Sequence, residues 1–195
     1  LSSAASDVYK RQVLIQLKPT PERYDDTFRK AGVKLDDTFR SVYGTKKGNP
    51  LEFRDITPAK QPGEYWLAIA PFAKHQGKIY PFEQISKVAE HFARKPETRL
   101  FIFGFGHEEE KQIAALSDRY PNIINMASAS LGIGAELALL SHCDAMLSMD
   151  SANMHLASLV GLRTVSVWGA THPYTGFLGW RQLSLIHISE PTRLD

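Results

Sequence analysis

From Tyr65 onward, short apolar runs alternate with amphipathic segments, and this alternation limits the fold more than any other feature of the chain. The runs 65–71 (YWLAIAP), 99–104 (RLFIFG), 122–125, 144–149 (DAMLSM) and 164–168 (TVSVW) have the length and composition of buried strands. Between them, Phe82, Ile85, Val88, Ala89 and Phe92 fall on one helical face after Pro81. Further helices are predicted over 108–120, 134–141 and 152–160. The three glutamates opening the 108–120 segment suit the positive end of a helix dipole. Strands alternating with helices close into a parallel sheet covered on both faces. The expected fold class is therefore α/β, a Rossmann-like doubly wound parallel sheet over residues 64–182. Sites in such sheets lie at the carboxyl ends of the strands.

The rest of the chain does not extend that pattern. Residues 13–63 hold an apolar start, the Pro19-Thr20-Pro21 punctuation, a helical segment around residues 23–31 and a mixed polar stretch. They are expected to be the remnant of an N-terminal domain plus an interdomain connection. Both ends read as something other than evolved protein. Residues 2–12 back-translate, codon by codon, into a transposase adaptor used in sequencing libraries, and residues 183–193 into the reverse complement of its partner. Two matches at opposite ends, in the orientations that read-through produces, lead to the expectation that 1–12 and 183–195 are adaptor-derived, with 13–182 a fragment of a longer gene product.

Composition narrows the class. The 43% apolar content of the 195 residues can fill a core and excludes a disordered or fibrous chain. Lys plus Arg at 23 against Asp plus Glu at 21 gives no reason to expect nucleic acid as a partner. The lone Cys143 can form neither an internal disulfide nor a thiolate cluster, which suits a reducing compartment. No apolar run reaches the roughly 18 to 20 residues of a membrane span. The expected location is cytoplasmic.

Four loops at one sheet edge carry the candidate chemistry. After the fourth strand, Asp150-Ser151 turns at once into a helix, which places free backbone N–H groups and a positive dipole end where a phosphate can bind. Ser151 is equally an ordinary helix N-cap, the commoner role for such a residue. His155, one turn further, reads by itself as a packed histidine. After the first strand, Lys74 and Lys78 flank Gly77, and the topology brings this loop near Asp150. The pair can neutralise a diphosphate, although loop lysines are usually only solvated. After the second strand, one carboxylate of residues 104–110 can accept from ribose hydroxyls; Glu109 and Glu110 read more simply as a helix-start cluster. After the fifth strand, Thr171 and its aromatic neighbours can face a ligand or pack. A nicotinamide fingerprint, a nucleophile elbow, a phosphate-binding P-loop and zinc-ligand spacing are all missing.

The Lys78-Ile79-Tyr80-Pro81 loop, the turn from Phe103-Gly104 to Glu110, and Asp150-Ser151-Ala152-Asn153-Met154-His155-Leu156-Ala157 followed by residues 165–171 together resemble the glycosyltransferase family 9 heptosyltransferases. The resemblance covers about residues 64–180 and is most specific in the Asp-Ser-x-x-Met-His segment. It implies that 64–182 is the C-terminal, donor-binding half of a two-domain GT-B fold. It also implies that Lys78 contacts the donor phosphates, that Asp150, Ser151 and Ala152 form the turn under diphosphate and sugar, that His155 lies near the diphosphate, and that Glu108 binds the ribose. Lys74 and Thr171 complete the expected donor site. Where many members carry glycine, this chain has Ala152, whose methyl narrows the approach to the donor. The implied reaction is an inverting transfer of heptose from ADP-heptose to a lipopolysaccharide core acceptor, without metal or cofactor. Its general base would lie in the N-terminal domain, so the chain alone is expected to be inactive. Peripheral contact with the cytoplasmic membrane would follow from that acceptor. Two alternatives stay open here: a related transferase or epimerase using another nucleotide sugar, and a non-catalytic α/β binding module.

Overall fold

The computed structural model describes residues 15–36, 38–129 and 131–182, together with the backbone of 184–187. The 1–12 segment and residues 188–195 lie outside the described residues. Helix α1 (Thr20–Lys30) precedes a 3-10 turn at Pro50–Phe53. The series that follows is β1 (Tyr65–Ala70), α2 (Phe82–Ala93), β2 (Thr98–Ile102), α3 (His107–Ser117), β3 (Ile123–Asn125), α4 (Ile133–His142), β4 (Ala145–Met149), α5 (Ala152–Leu159), β5 (Thr164–Trp168) and β6 (Ser184–His187). The strands lie in the order β3-β2-β1-β4-β5-β6, and every pairing is parallel. This is the doubly wound sheet expected from the alternation. Its strand order reverses between β1 and β4, which opens a crevice at the carboxyl ends of those two strands.

Each face of the sheet has its own core. On one, α2 and α3 bring Ile85, Ala89, Ile113 and Leu116 onto Ile69, Leu100 and Ile102. On the other, α4 and α5 bring Leu139, Leu140 and Ala157 onto Trp66, Ala68, Phe101 and Met146. The core begins earlier in the chain than the alternation suggests. Phe53 is buried edge-on against Trp66 and His142, at ring-centroid distances of 6.0 and 5.3 Å. Thr57 is buried beside Arg99 and bonded to its guanidinium. At the other end, the backbone of Ser184–His187 runs beside β5 in register from Val165 to Trp168. No described helix is long and apolar enough to cross a membrane.

Candidate functional site

A cavity of about 740 Å³ opens at the switch point, lined from the β1 loop by Lys74 and Lys78, from the β2 loop by Gly104 and Phe105, and from the start of α5 by Asp150, Ser151, Ala152 and His155. Two glycines let the loops after β1 and β5 meet beside it. The backbone N–H of Ala170, after β5, donates to Gly77 O at 2.7 Å. A Cβ on Gly169 would stand 2.7 Å from that same oxygen, and one on Gly77 would meet the Ala170 methyl at 2.9 Å. The β1 and β5 loops can therefore touch only because neither carries a side chain at the crossing.

This contact fixes Lys78 at the end of a short 3-10 turn, Gln76–Lys78. Its Nζ lies 2.7 Å from Asp150 Oδ2, and the Thr171 hydroxyl donates to the same oxygen at 2.8 Å. Asp150 is 6% exposed. A carboxylate so far from water needs a cation and a donor, and the loops supply one of each. The topological argument for placing Lys78 beside Asp150 is thus met at atomic distance.

Ser151 occupies the N-cap position of α5 but makes no side-chain capping bond. Its hydroxyl lies 3.3 Å from that of Ser148 instead. The first N–H groups of α5 are left uncapped by this serine at the cavity edge, the arrangement that favours an anion. His155 stands one turn along, exposed to the cavity. Desolvation of its ring, with Lys78 adding to it and Asp150 opposing, lowers its pKa below the ordinary 6.5. The imidazole is accordingly neutral at pH 7.

The structure distributes the other expected residues unevenly. Lys74 is exposed on the cavity wall. Thr171 is not part of the lining and acts on the site through Asp150. Glu108 is exposed and also not part of the lining; the carboxylate of the 104–110 turn that faces the cavity is Glu109. Helix α3 starts at His107, with Gly106 at the N-cap at a positive φ of 83°. That start turns Glu109 back over its own loop, where its Oε2 accepts from the Phe105 N–H at 2.8 Å. Sequence reasoning does not single out Glu136, in the first turn of α4, because it looks like a dipole-complementing acid. It lines the cavity half-buried, and desolvation pushes its carboxyl pKa up. Among the described residues, no cluster of three or more His, Cys, Asp or Glu could hold a metal ion. Cys143 is buried at the opposite end of β4 from Asp150, its thiol pushed up to about 12 by desolvation, and is chemically quiet.

A second cavity, of about 800 Å³, lies between α1 and α5 and shares His155 with the first. Its Lys18 and Arg29 are already paired with Asp26 and Asp25.

The sequence matches the model of glycosyltransferase family 9 (heptosyltransferase) over residues 4–189. The chain belongs to this family. A comparison with curated proteins yields no match. Among solved structures, this family 9 chain is similar to the E. coli heptosyltransferase WaaC with ADP, at 16% identity and a TM-score of 0.58, covering 77% of this chain and 47% of that one. It is similar to E. coli ADP-heptose lps heptosyltransferase II, at 17% identity and a TM-score of 0.58, covering 80% and 44%. The glycosyl transferase family 9 structure from Veillonella parvula gives 16% identity and a TM-score of 0.66, covering 91% and 51%. These likenesses establish the fold, that of one half of a GT-B glycosyltransferase. The chain spans about half the length of the solved structures it matches.

Proposed function

We propose that this family 9 chain is the donor-binding half of an inverting, metal-independent transferase that moves heptose from ADP-heptose to a lipopolysaccharide core acceptor. The observation that carries the reading is the Lys78–Asp150–Thr171 cluster beside the uncapped start of α5, inside a cavity large enough for a nucleotide sugar. The WaaC structure that this chain resembles holds ADP, which supports an adenosine diphosphate in the same place.

In this reading the diphosphate lies between Lys78, Lys74 and the α5 N-terminus. As the glycosidic bond breaks, negative charge grows on the departing phosphate, and Lys78 with the backbone N–H groups stabilises it where it develops. Asp150 keeps Lys78 in position through the ion pair. Neutral His155 donates or accepts a hydrogen bond near the diphosphate. A carboxylate from the half of the protein that this chain does not span takes the acceptor's proton.

Titration calorimetry with ADP and UDP tests the reading. ADP is expected to bind and UDP to bind more weakly, with Lys78→Ala weakening both roughly tenfold to a hundredfold, and the chain alone is expected to give no transfer. Absence of Lys78-dependent binding, or turnover by the isolated chain, overturns it. The reading also keeps residues 1–12 and 183–195 as translated adaptor. Sequencing the source locus with a transposase-free library is expected to remove both flanks, and their persistence in the genome refutes that part.

A further inference from the structure

The cavity lining carries groups that phosphate binding does not use. Phe105 lines the cavity mouth at 90% exposure, more than any other large apolar residue described. Burial does not hold the ring there; its loop does. Its N–H is tied to Glu109, Gly106 takes a positive φ, and Gly104 has no space for a side chain. A Cβ on Gly104 would meet Ile113 Cδ1 at 2.8 Å and Glu109 Cβ at 3.2 Å. The loop thus presents an aromatic face to water on a fixed backbone, a surface that gains by being covered.

Glu136 lines the same cavity from α4. Its carboxylate has no hydrogen bond or ion pair among the described residues, and only desolvation shifts its pKa. An ionised carboxylate can accept hydrogen bonds and cannot donate them. A half-buried acceptor without a donor is completed by a ligand that brings one.

We propose that Phe105 and Glu136 form the base-reading end of the site, Phe105 stacking on the nucleobase of a nucleoside diphosphate and Glu136 accepting from an exocyclic amino group at the base's edge. This rests on the reading that the cavity takes a nucleoside diphosphate. The two residues have separable tasks. Stacking serves every base, because each has a π face, whereas the carboxylate selects only for the amino group.

The test is titration calorimetry on the full 195-residue chain with two probes, ADP and purine riboside 5′-diphosphate, which lacks the 6-amino group alone. The unsubstituted chain is expected to bind ADP roughly tenfold or more tightly than the deamino probe. Glu136→Ala brings the two affinities within about twofold, and Glu136→Gln, which keeps an uncharged acceptor, gives an intermediate ratio. Phe105→Ala weakens both probes alike by roughly tenfold. Both side chains reach solvent, so neither change threatens the fold. An unchanged ratio in Glu136→Ala, or unchanged affinities in Phe105→Ala, overturns the proposal. If both probes bind equally to the unsubstituted chain and both depend on Lys78, the base reading alone falls. If neither binds, the nucleotide reading falls with it.

Discussion

Helices α1 and α2 are both amphipathic, and they meet different fates. Helix α2 lays Ile85, Ala89 and Ala93 against the sheet and buries all three. Helix α1 buries no residue; Tyr24 and Phe28, one turn apart, stay 64% and 48% exposed. What attaches α1 and the stretch before it is hydrogen bonding to the loop after β5, through the Thr20 hydroxyl to Gly176 O at 3.0 Å, Arg23 Nη2 to Thr175 O at 3.3 Å, and two backbone bonds. Leu17 N donates to Tyr174 O and Thr20 N to Gly176 O, each at 2.8 Å. Amphipathic spacing therefore predicts a helix in both places, and only a facing apolar surface turns it into core. Integration, rather than periodicity, separates the α/β domain from the segment ahead of it.

The strongest way to break that contrast is by truncation. Trp66 is fully buried against Phe101 and Phe53, with its indole N–H given to Glu64 at 3.1 Å. Trp66→Ala is expected to cost about 3–5 kcal/mol in urea denaturation, against about 0.5 kcal/mol or less for Phe28→Ala. Equal costs would mean that α1 is as much a part of the core as β1. Next in size, Lys78→Ala should lower ADP affinity roughly tenfold to a hundredfold by calorimetry, while Tyr24→Ser leaves it unchanged. A matching loss in both would place α1 in the donor site.

Gly176 offers a smaller and more local lever. Its φ is +86°, and an added Cβ would lie 2.7 Å from Arg23 Nη2 and 2.8 Å from Lys18 O. Gly176→Ala is expected to cost about 1–2 kcal/mol and to speed amide exchange at Leu17 and Thr20 while leaving β1 protected. Loss of protection in β1 as well would show that the attachment and the sheet open together.

The smallest effect concerns His155, which lines both cavities and so marks the border between the two regions. Its pKa is lowered from 6.5. The unfolded chain therefore binds this proton more readily than the folded one. Stability from this group is complete above pH 6.5 and is lost as pH falls through the lower, folded value. An imidazole NMR titration should give a midpoint below 6.5 that moves upward when ADP binds, since an anion favours the charged ring. A midpoint at or above 6.5, or one indifferent to ADP, contradicts this placement.

Particular residues show how far the sequence is legible. Strands β1 to β5 can be read because buried parallel strands are short apolar runs with little else in them. The meeting of Lys78 with Asp150 follows from topology, since both end a strand at the switch point. Phe53 cannot be read as core, for it stands alone in a polar stretch with no period to betray it. The choice between Glu108 and Glu109 turns on where α3 begins. A shift of one residue swings a helical side chain by about 100°, and Gly106 sets that start through a backbone angle the sequence does not display. Glu136 escapes notice for another reason: an acid in a first helical turn already has an adequate explanation, so its view of the cavity leaves no further mark.

The two oxygens of Asp150 have different surroundings. Lys78 and Thr171 both bond Oδ2, and among the described residues Oδ1 has no hydrogen bond. One oxygen acts as scaffold and the other is left as a reserve acceptor. Asparagine has the same shape but only one oxygen. If that oxygen keeps the scaffold, an amide N–H₂ replaces the reserve acceptor; if it takes the reserve place, the amide nitrogen is turned toward an ammonium group. An isosteric asparagine therefore cannot fill both offices at once.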